Sequence, residues 1–334
     1  MNKREYLEAL DKLEGQIAQA FLRAVQDRVE RASVREIEAG VVARDIEAIL
    51  RAAGLTGDDL TRVIETVRGG FIASGASEAA ALRVVFGGAN SIAQDWLQAA
   101  SSRMVVEITG SQREALRVAL NAGYTAGRNP RSVALDIVGR IGTDRKRTGG
   151  IVGLTEQASG WVANAREELT ALDASYFTRK ARDKRFDSII RKAIKDGKPL
   201  PAAKIDAIVS RYAARLLKLR GEAIGRTEAL TAIAAGREIA FAQAIARGEL
   251  LPQDITRTWD ATNDGRTRNS HMTMEGQRRG WAQPFTSGLG ASLNFPGDSS
   301  LGAPAADTIQ CRCMVKYKID HIGRQIRKER GKAI

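Results

Sequence analysis

YLEALDKLEGQIAQAFLRAV, residues 6–25, is the stretch that decides the fold class. Its apolar side chains recur at steps of three and four residues, at Leu7, Leu10, Leu13, Ile17, Phe21 and Val25. That spacing places them on one face of an α-helix. Residues 205–219 repeat the pattern, and aromatic residues make up only 5% of the chain. Because strand-rich folds favour aromatic and β-branched residues, the sequence predicts a mainly α protein.

Helical patterning stops after Gly248, where glycine, proline, asparagine and aspartate become frequent up to Tyr317. This composition favours a small loop-rich α+β module. Ser111 precedes Glu114 by three positions, the spacing of a helix start. We therefore expect a helical N-terminal region (1–110), a helical central region with a basic segment (111–248), a C-terminal α+β module (249–320) and an extended basic tail (321–334).

Positive charge is concentrated in two blocks of a chain whose net charge is +13. Residues 128–220 carry 21 basic and 10 acidic side chains, and residues 311–334 carry 8 and 2. Such blocks attract polyanions, so double-stranded DNA is an expected partner. A solvated basic face or a contact with an acidic protein would give the same pattern. The candidate nucleic-acid contacts are Arg182, Lys184, Arg185, Arg191 and Lys192.

Several classes of protein are disfavoured by the absence of their motifs. No run of about 18 apolar residues is present, and the charged N-terminus lacks the apolar core of a signal peptide. We expect a soluble protein made in a cytoplasm, with no membrane partner. GxxxxGK[ST], GxSxG and HExxH are all missing, which argues against a packaging ATPase, a serine hydrolase or a zinc protease.

Both histidines and both cysteines of the chain lie between residues 271 and 321. Thiolate and imidazole ligands suit tetrahedral zinc, which would stabilise a module with little apolar mass. His271, Cys311 and Cys313 are the candidate metal ligands for a structural zinc ion, and His321 is a weaker candidate. Alternatively, His271 makes a structural hydrogen bond and the cysteines pack as small apolar groups.

Two further clusters of charged residues have alternative interpretations. Asp260, Arg268 and His271 could act together on a nucleotide or nucleic acid, with histidine as the base. They could equally form ion pairs that hold loops. On a helix, Arg226 and Glu228 lie about 200° apart, so one of them is expected to face inward and to need a partner.

Several short motifs lie in a distinctive order and spacing in the C-terminal half of the chain. They include WD at 259–260, RNSH at 268–271, EGQ at 275–277, FPGD at 295–298, CRC at 311–313 and GRTE at 225–228. Together they resemble the phage Mu F-like head morphogenesis family over about residues 110–317. The motif residues are Arg226, Thr227, Glu228, Trp259, Asp260, Arg268, His271, Gly276, Pro296, Gly297 and Asp298. Gly225 stands where alanine is more usual, which lowers helix stability by up to about 1 kcal/mol.

The resemblance implies a minor capsid protein of a tailed bacteriophage or prophage rather than an enzyme. It would lie in the head interior or at the portal vertex, be assembled in the bacterial host cytoplasm, and assist head assembly and DNA packaging or delivery. Its partners would be the portal protein and the major capsid or scaffold protein. The alternatives are an enzyme or toxin-like module that uses Asp260, Arg268 and His271, and a DNA-binding assembly factor absent from the mature virion.

Overall fold

The computed structural model describes residues 1–55, 60–142, 145–263, 265 and 267–329, with the backbone alone at 327 and 328. Its helices are α1 (Lys3–Arg31), α2 (Val34–Ala43), α3 (Ile46–Ala52), α4 (Thr61–Leu82), α5 (Ser91–Thr125), α6 (Pro130–Val138), α7 (Glu156–Ala171), α8 (Asp187–Asp196), α9 (Ala202–Ala246), α10 (Asn269–Met272), α11 (Ala305–Thr308) and α12 (His321–Glu329). Short 3₁₀ turns lie at Ala174–Thr178, Lys184–Phe186 and Pro252–Asp254.

The strands are short, and most of them follow α9. They are β1 (Arg140–Ile141), β2 (Arg147–Thr148), β3 (Ile255–Asp260), β4 (Arg278–Gly280), β5 (Phe285–Thr286), β6 (Ser292–Leu293) and β7 (Met314–Ile319). Helices account for 66% of the structure and strands for 7%. The prediction of a mainly α protein with a small α+β region near the C-terminus is confirmed.

Polar side chains determine where several helices begin. Ser33, Asp45 and Thr155 each accept a hydrogen bond from the backbone N–H three residues later. Each bond satisfies a donor that has no partner inside the helix. The helix start predicted at Ser111 is wrong, because Ser111 lies inside α5 and its hydroxyl donates to the Ile108 carbonyl. A serine that bonds back to the preceding turn is tolerated inside a helix.

The basic tail also differs from the expectation. Residues 321–329 are not extended but form α12. The Asp320 carboxylate accepts a hydrogen bond from the Gly323 backbone N–H at 2.9 Å, which supports the start of this helix. Residues 330–334 lie outside the described part of the chain.

The chain divides into two compact units, each built from segments that are distant in sequence. Unit 1 comprises Met1–Ala20, Val63–Ser101 and Glu222–Ile334, and unit 2 comprises Phe21–Arg62 and Ser102–Gly221. These borders do not coincide with those expected at residues 110 and 248. They fall inside long helices, where no change of composition marks them.

A three-stranded antiparallel sheet in the order β4–β3–β7 organises unit 1. Trp259 pairs with Val315 across β3 and β7, and both are buried. Next to the sheet, Phe241 of α9 stacks on Tyr317 with ring centroids 4.3 Å apart. The burial of these apolar surfaces fixes the strand register, because a shift by one residue would turn them to solvent.

Glycines in α9 allow other backbone segments of unit 1 to approach closely. A Cβ added at Gly225 would lie 2.5 Å from the Glu14 carbonyl oxygen of α1. A Cβ added at Gly236 would lie 2.4 Å from the Phe71 carbonyl oxygen of α4. Gly225 therefore has a packing role that the sequence did not reveal, beside its cost to helix propensity.

Helices dominate unit 2, where α2 packs against α3 and α6. A network of ion pairs joins α6, the following strand, α7 and the first turns of α9. In it Arg166 contacts Asp136 at 3.0 Å and Asp206 at 2.6 Å, and Arg140 contacts the same two carboxylates. These side chains are between 16% and 24% exposed, so the network is shielded more than isolated surface pairs.

Within the described residues, α9 is long and apolar enough, by length and composition, to cross a membrane. However, 78% of its most apolar 18-residue window is buried inside the protein. A core helix of a water-soluble protein meets the same criteria, so this helix alone is weak evidence for a membrane span.

Candidate metal centre

His271, Cys311 and Cys313 lie together in unit 1, although 40 residues separate the histidine from the first cysteine. The His271 Nδ1 atom is 3.3 Å from the Cys311 sulfur and 3.4 Å from the Cys313 sulfur. All three side chains are buried, and their ligand atoms lie within 4.8 Å of one another. The structure thus brings together the three residues that the sequence identified as metal ligands.

Hydrogen bonds on both sides fix the turn that carries the two cysteines. The Gln310 backbone N–H donates to the Thr227 hydroxyl of α9 at 3.1 Å, and the Tyr6 hydroxyl of α1 donates to the Cys313 carbonyl at 3.1 Å. The Cys313 N–H points at the Cys311 sulfur, 3.4 Å away. Such anchors hold both sulfurs toward the histidine with little freedom to turn away.

Asp307 lies beside the other ring nitrogen of His271. Its Oδ1 atom is 3.5 Å from His271 Nε2, and the side chain is fully buried. Asp307 also accepts hydrogen bonds from the hydroxyls of Ser270 at 2.8 Å and Ser287 at 2.6 Å. These two bonds fix the carboxylate, which favours the tautomer with the proton on Nε2.

The two thiols have pKa values displaced in opposite directions. A hydrogen bond from Cys311, joined by the contact with His271, lowers the pKa of Cys313 to about 5. Burial, reinforced by the neighbouring Cys313, raises the pKa of Cys311 well above its ordinary value.

Two sulfurs and one imidazole nitrogen form a donor set that zinc prefers. Among the described residues, no further histidine, cysteine or carboxylate joins this cluster. His321 is exposed at the first position of α12 and lies outside it.

The three residues considered for catalysis bind different partners. Asp260 forms salt bridges with Lys3 at 2.8 Å and Lys316 at 2.6 Å. Burial raises the pKa of Asp260, but the hydrogen bonds from these two lysines outweigh it and lower the pKa. The Arg268 guanidinium donates to the Ile309 carbonyl, and His271 faces the cysteines. This arrangement supports the ion-pair interpretation of Asp260 rather than an acid–base group.

The Arg-Thr-Glu motif occupies the part of α9 that belongs to unit 1. Arg226 makes two hydrogen bonds to the Glu14 carboxylate of α1, at 2.8 and 2.9 Å. Glu228 is the inward-facing member, with 7% of its surface exposed. Thr227 contacts the cysteine turn through its hydrogen bond with Gln310. The expectation that one of the two charged residues faces inward is thus met by Glu228.

The remaining motif residues shape loops. Gly276 has φ +74°, and its N–H donates to the carbonyl of the buried Trp259. Gly297 has φ +84°, and a Cβ there would lie 2.4 Å from the Thr231 hydroxyl of α9. The buried Asp298 accepts hydrogen bonds from both the backbone and side-chain N–H of Asn294. Pro296 is buried in the same turn. The two glycines thus adopt positive φ, a conformation that glycine reaches without steric cost, and Asp298 fixes its turn through its side chain.

Residues 184–316 match the family model described as Phage Mu protein F like protein. This match identifies residues 184–316 as a Mu F-like segment. The resemblance inferred from the motifs is confirmed, although the match begins at residue 184 and not near residue 110. The Mu F-like family is a phage head morphogenesis family whose members are typically structural. Comparison with curated proteins and with solved structures gave no match.

Two buried arginines of the Mu F-like segment were missed by sequence reasoning. Arg257 of β3 is fully buried and contacts Glu238 at 2.6 Å, while Tyr317 donates to the same carboxylate at 2.5 Å. Arg237 contacts Glu78 at 2.7 Å and donates to the Val315 carbonyl. The signal was the Arg-Glu pair at 237–238, the only charged residues within 229–246 of α9, because charges in such an apolar stretch need buried partners.

The five candidate DNA contacts lie in unit 2 and differ in accessibility. Lys184, Arg185, Arg191 and Lys192 are exposed and lie within the Mu F-like segment. Arg191 also stacks over the Phe177 ring, 4.3 Å from its centroid. Arg182 precedes the segment, is 13% exposed, and makes two hydrogen bonds to Asp187. Arg182 is therefore less accessible to a ligand than the other four.

Proposed function

We propose that this Mu F-like protein is a minor structural component of the phage head, positioned at the portal or inner capsid. There it assists head assembly and the packaging or delivery of DNA. The observation that carries the proposal is the family match over residues 184–316. The separate engagement of Asp260, Arg268 and His271 supports a structural role over an enzymatic one. The partners are the portal protein and the major capsid or scaffold protein.

Mass spectrometry of purified, DNA-filled particles tests this proposal. We expect peptides from the whole chain, at a few copies per particle relative to the major capsid protein. Cross-linking before digestion should join the chain to the portal protein more than to the outer capsid surface. Absence from the particles, together with presence in infected cells, would instead identify an assembly factor that leaves before maturation.

We further propose that the exposed basic residues of unit 2 contact DNA. Lys184, Arg191 and Lys192 project from the α8 region without carboxylate partners closer than 4.0 Å among the described residues. Lysine and arginine side chains on a surface release counterions when they neutralise phosphates. The contribution is therefore electrostatic and independent of base sequence.

The triple variant Lys184→Ala, Arg191→Ala and Lys192→Ala tests the DNA contact. Removal of each cation that neutralises a phosphate should reduce the slope of log affinity against log salt by about 0.9. The matched control replaces three exposed cations outside this surface, Lys12, Arg35 and Arg51, with alanine. An equal reduction of the slope in both triple variants would mean that net charge, and not this surface, determines binding.

A further inference from the structure

Two sulfurs converge on a single nitrogen in the cysteine–histidine cluster. With its proton on Nε2 beside Asp307, the His271 ring has one lone pair on Nδ1. One S–H group can donate to that lone pair, but a second cannot. Both sulfurs nevertheless lie 3.3 and 3.4 Å from the same atom. In this tautomer, donation by an S–H group explains only one of the two contacts.

A bound cation accounts for both contacts. In tetrahedral zinc sites the Zn–S distance is about 2.3 Å and the Zn–N distance is about 2.0–2.1 Å, which puts sulfur and nitrogen about 3.5 Å apart. The observed separations are within about 0.2 Å of that edge length. The two nitrogen–sulfur distances are thus already close to the edge length of a zinc tetrahedron, and the two sulfurs lie within 4.8 Å of each other.

We propose that His271 Nδ1 and the sulfurs of Cys311 and Cys313 bind one Zn²⁺ ion, with a water molecule as the fourth ligand. The cluster adjoins a cavity of about 20 Å³ lined by Thr262, Gln310 and Arg312 among others. That space accepts one water molecule. The Thr262 hydroxyl donates to the Arg312 carbonyl at 2.6 Å, which holds the wall of the cavity.

The residues around the cluster suit a metal with thiolate ligands. Asp307 Oδ1 lies 3.5 Å from His271 Nε2, on the side of the ring where carboxylates stand behind zinc-bound histidines. The Trp259 indole N–H is buried without a nitrogen or oxygen acceptor in the described structure. Its ring lies edge-on to the His271 ring, with centroids 5.9 Å apart. A metal-bound thiolate at Cys313 gives that N–H an acceptor.

The ion would act as a cross-link within unit 1. It would join α10, which carries His271, to the cysteine turn before β7. The segments between them contain only short strands and one-turn helices. Zinc binding to such a loop-rich region contributes directly to the free energy of folding.

Cobalt substitution of the full-length chain tests the proposal. The chain has two cysteines, so thiolate-to-cobalt charge-transfer absorption reports on Cys311 and Cys313 alone. We expect one equivalent of Co²⁺ to give this band together with the visible bands of tetrahedral cobalt, and one equivalent of Zn²⁺ to remove them. Elemental analysis of the protein purified without chelator should give about one zinc per chain.

Three variants separate coordination from folding. Cys313→Ser should abolish tight binding of Co²⁺, whereas His321→Gln, at an exposed histidine outside the cluster, should bind as the unmodified chain does. Asp307→Asn should keep the charge-transfer band and weaken Zn²⁺ binding about 10- to 100-fold. Circular dichroism of each variant verifies that the helices are retained.

Two results would contradict the proposed zinc site. A folded chain that gives no charge-transfer band and retains no zinc has a metal-free hydrogen-bonded cluster. Equal cobalt binding by Cys313→Ser and the unmodified chain would place the metal elsewhere. Neither result depends on whether the protein is found in phage particles, so this inference and the proposed function can fail independently.

Discussion

At Gly225, the backbone carbonyl of Glu14 occupies the space that a side chain would need. Helix propensity alone predicts that alanine would stabilise this position of α9. The Glu14 carbonyl, 2.5 Å from an added Cβ, reverses that expectation because backbone atoms cannot move away without displacing α1. Alanine should therefore lower stability at a helical glycine that faces another backbone and raise it at one that faces open space.

We predict that Gly225→Ala destabilises the protein by about 1–3 kcal/mol, the usual cost of overpacking. Gly15→Ala is the matched control, because Gly15 lies in α1 with no atom within 4 Å of an added Cβ. There alanine should stabilise by about 0.5–1 kcal/mol. Urea denaturation followed by circular dichroism measures both changes. A stabilised Gly225→Ala protein would show that α1 and α9 can separate at little cost.

Single residues also show how far the sequence could predict the candidate site. His271, Cys311 and Cys313 were identifiable because they are three of only four histidines and cysteines in the chain. The partners of Asp260 were not, because Lys3 is 257 residues away and no local pattern connects the two. Residue type alone is enough to predict metal ligands, whereas the partners of an ion pair depend on how the chain folds.

At the scale of elements, Asp183 stabilises the turn that leads into α8. It caps the Lys184–Phe186 turn by accepting from the Arg185 N–H, and it also binds the Arg185 guanidinium. The hydrogen bond from the Arg185 side chain, helped by Arg215, lowers the pKa of Asp183 to about 2. A carboxyl whose pKa is lowered on folding contributes stability above its ordinary pKa of 3.8. That contribution is lost as the pH falls toward about 2.

We predict that Asp183→Asn lowers the melting temperature at neutral pH and that the difference from the unmodified chain shrinks on acidification. Asparagine keeps an acceptor for the backbone cap but loses the charge that binds Arg185. Melting temperatures should converge as the pH falls from about 5 to about 2, because the aspartate becomes protonated over that range, first in the unfolded and then in the folded chain. Asp95→Asn, at an exposed position of α5, is the control. A difference that stays constant with pH would assign the effect to the cap alone.

Elements were predicted better where a periodic pattern was continuous. The apolar stripes of α1 and α9 identified both helices, yet the border expected at residue 111 falls inside α5. A serine and a glutamate three residues apart have the same spacing at a helix start and within a helix. Only the contacts of Ser111 distinguish the two cases.

For the whole molecule, the C-terminal module cannot be separated from the rest of unit 1. Arg257 forms an ion pair with Glu238. The Val315 carbonyl accepts a hydrogen bond from Arg237, and the Cys313 carbonyl accepts one from Tyr6. In each of these contacts one partner lies outside residues 249–320. Composition predicted where the character of the chain changes, but it contains no information about which distant segments complete a core.

We predict that an isolated fragment of residues 249–320 does not fold cooperatively, with or without Zn²⁺. It would expose Arg257 and the apolar face of β3 without their partners, at a cost of about 3–5 kcal/mol for the broken ion pair alone. The full-length chain, which retains Glu238, Arg237 and their partners Glu78 and Tyr6, is the control. Thermal unfolding followed by near-ultraviolet circular dichroism distinguishes them. A sharp transition in the short fragment would contradict the prediction.

The positions of the segments that make up each unit determine which unit can fold first during translation. All segments of unit 2 have been synthesised once residue 221 has left the ribosome, so unit 2 can fold while the chain is still growing. Unit 1 must wait for β7, because Lys3 and Tyr6 bind residues more than 250 positions later. The contacts of Lys3 with Asp260 and of Tyr6 with Cys313 therefore form only near the end of synthesis.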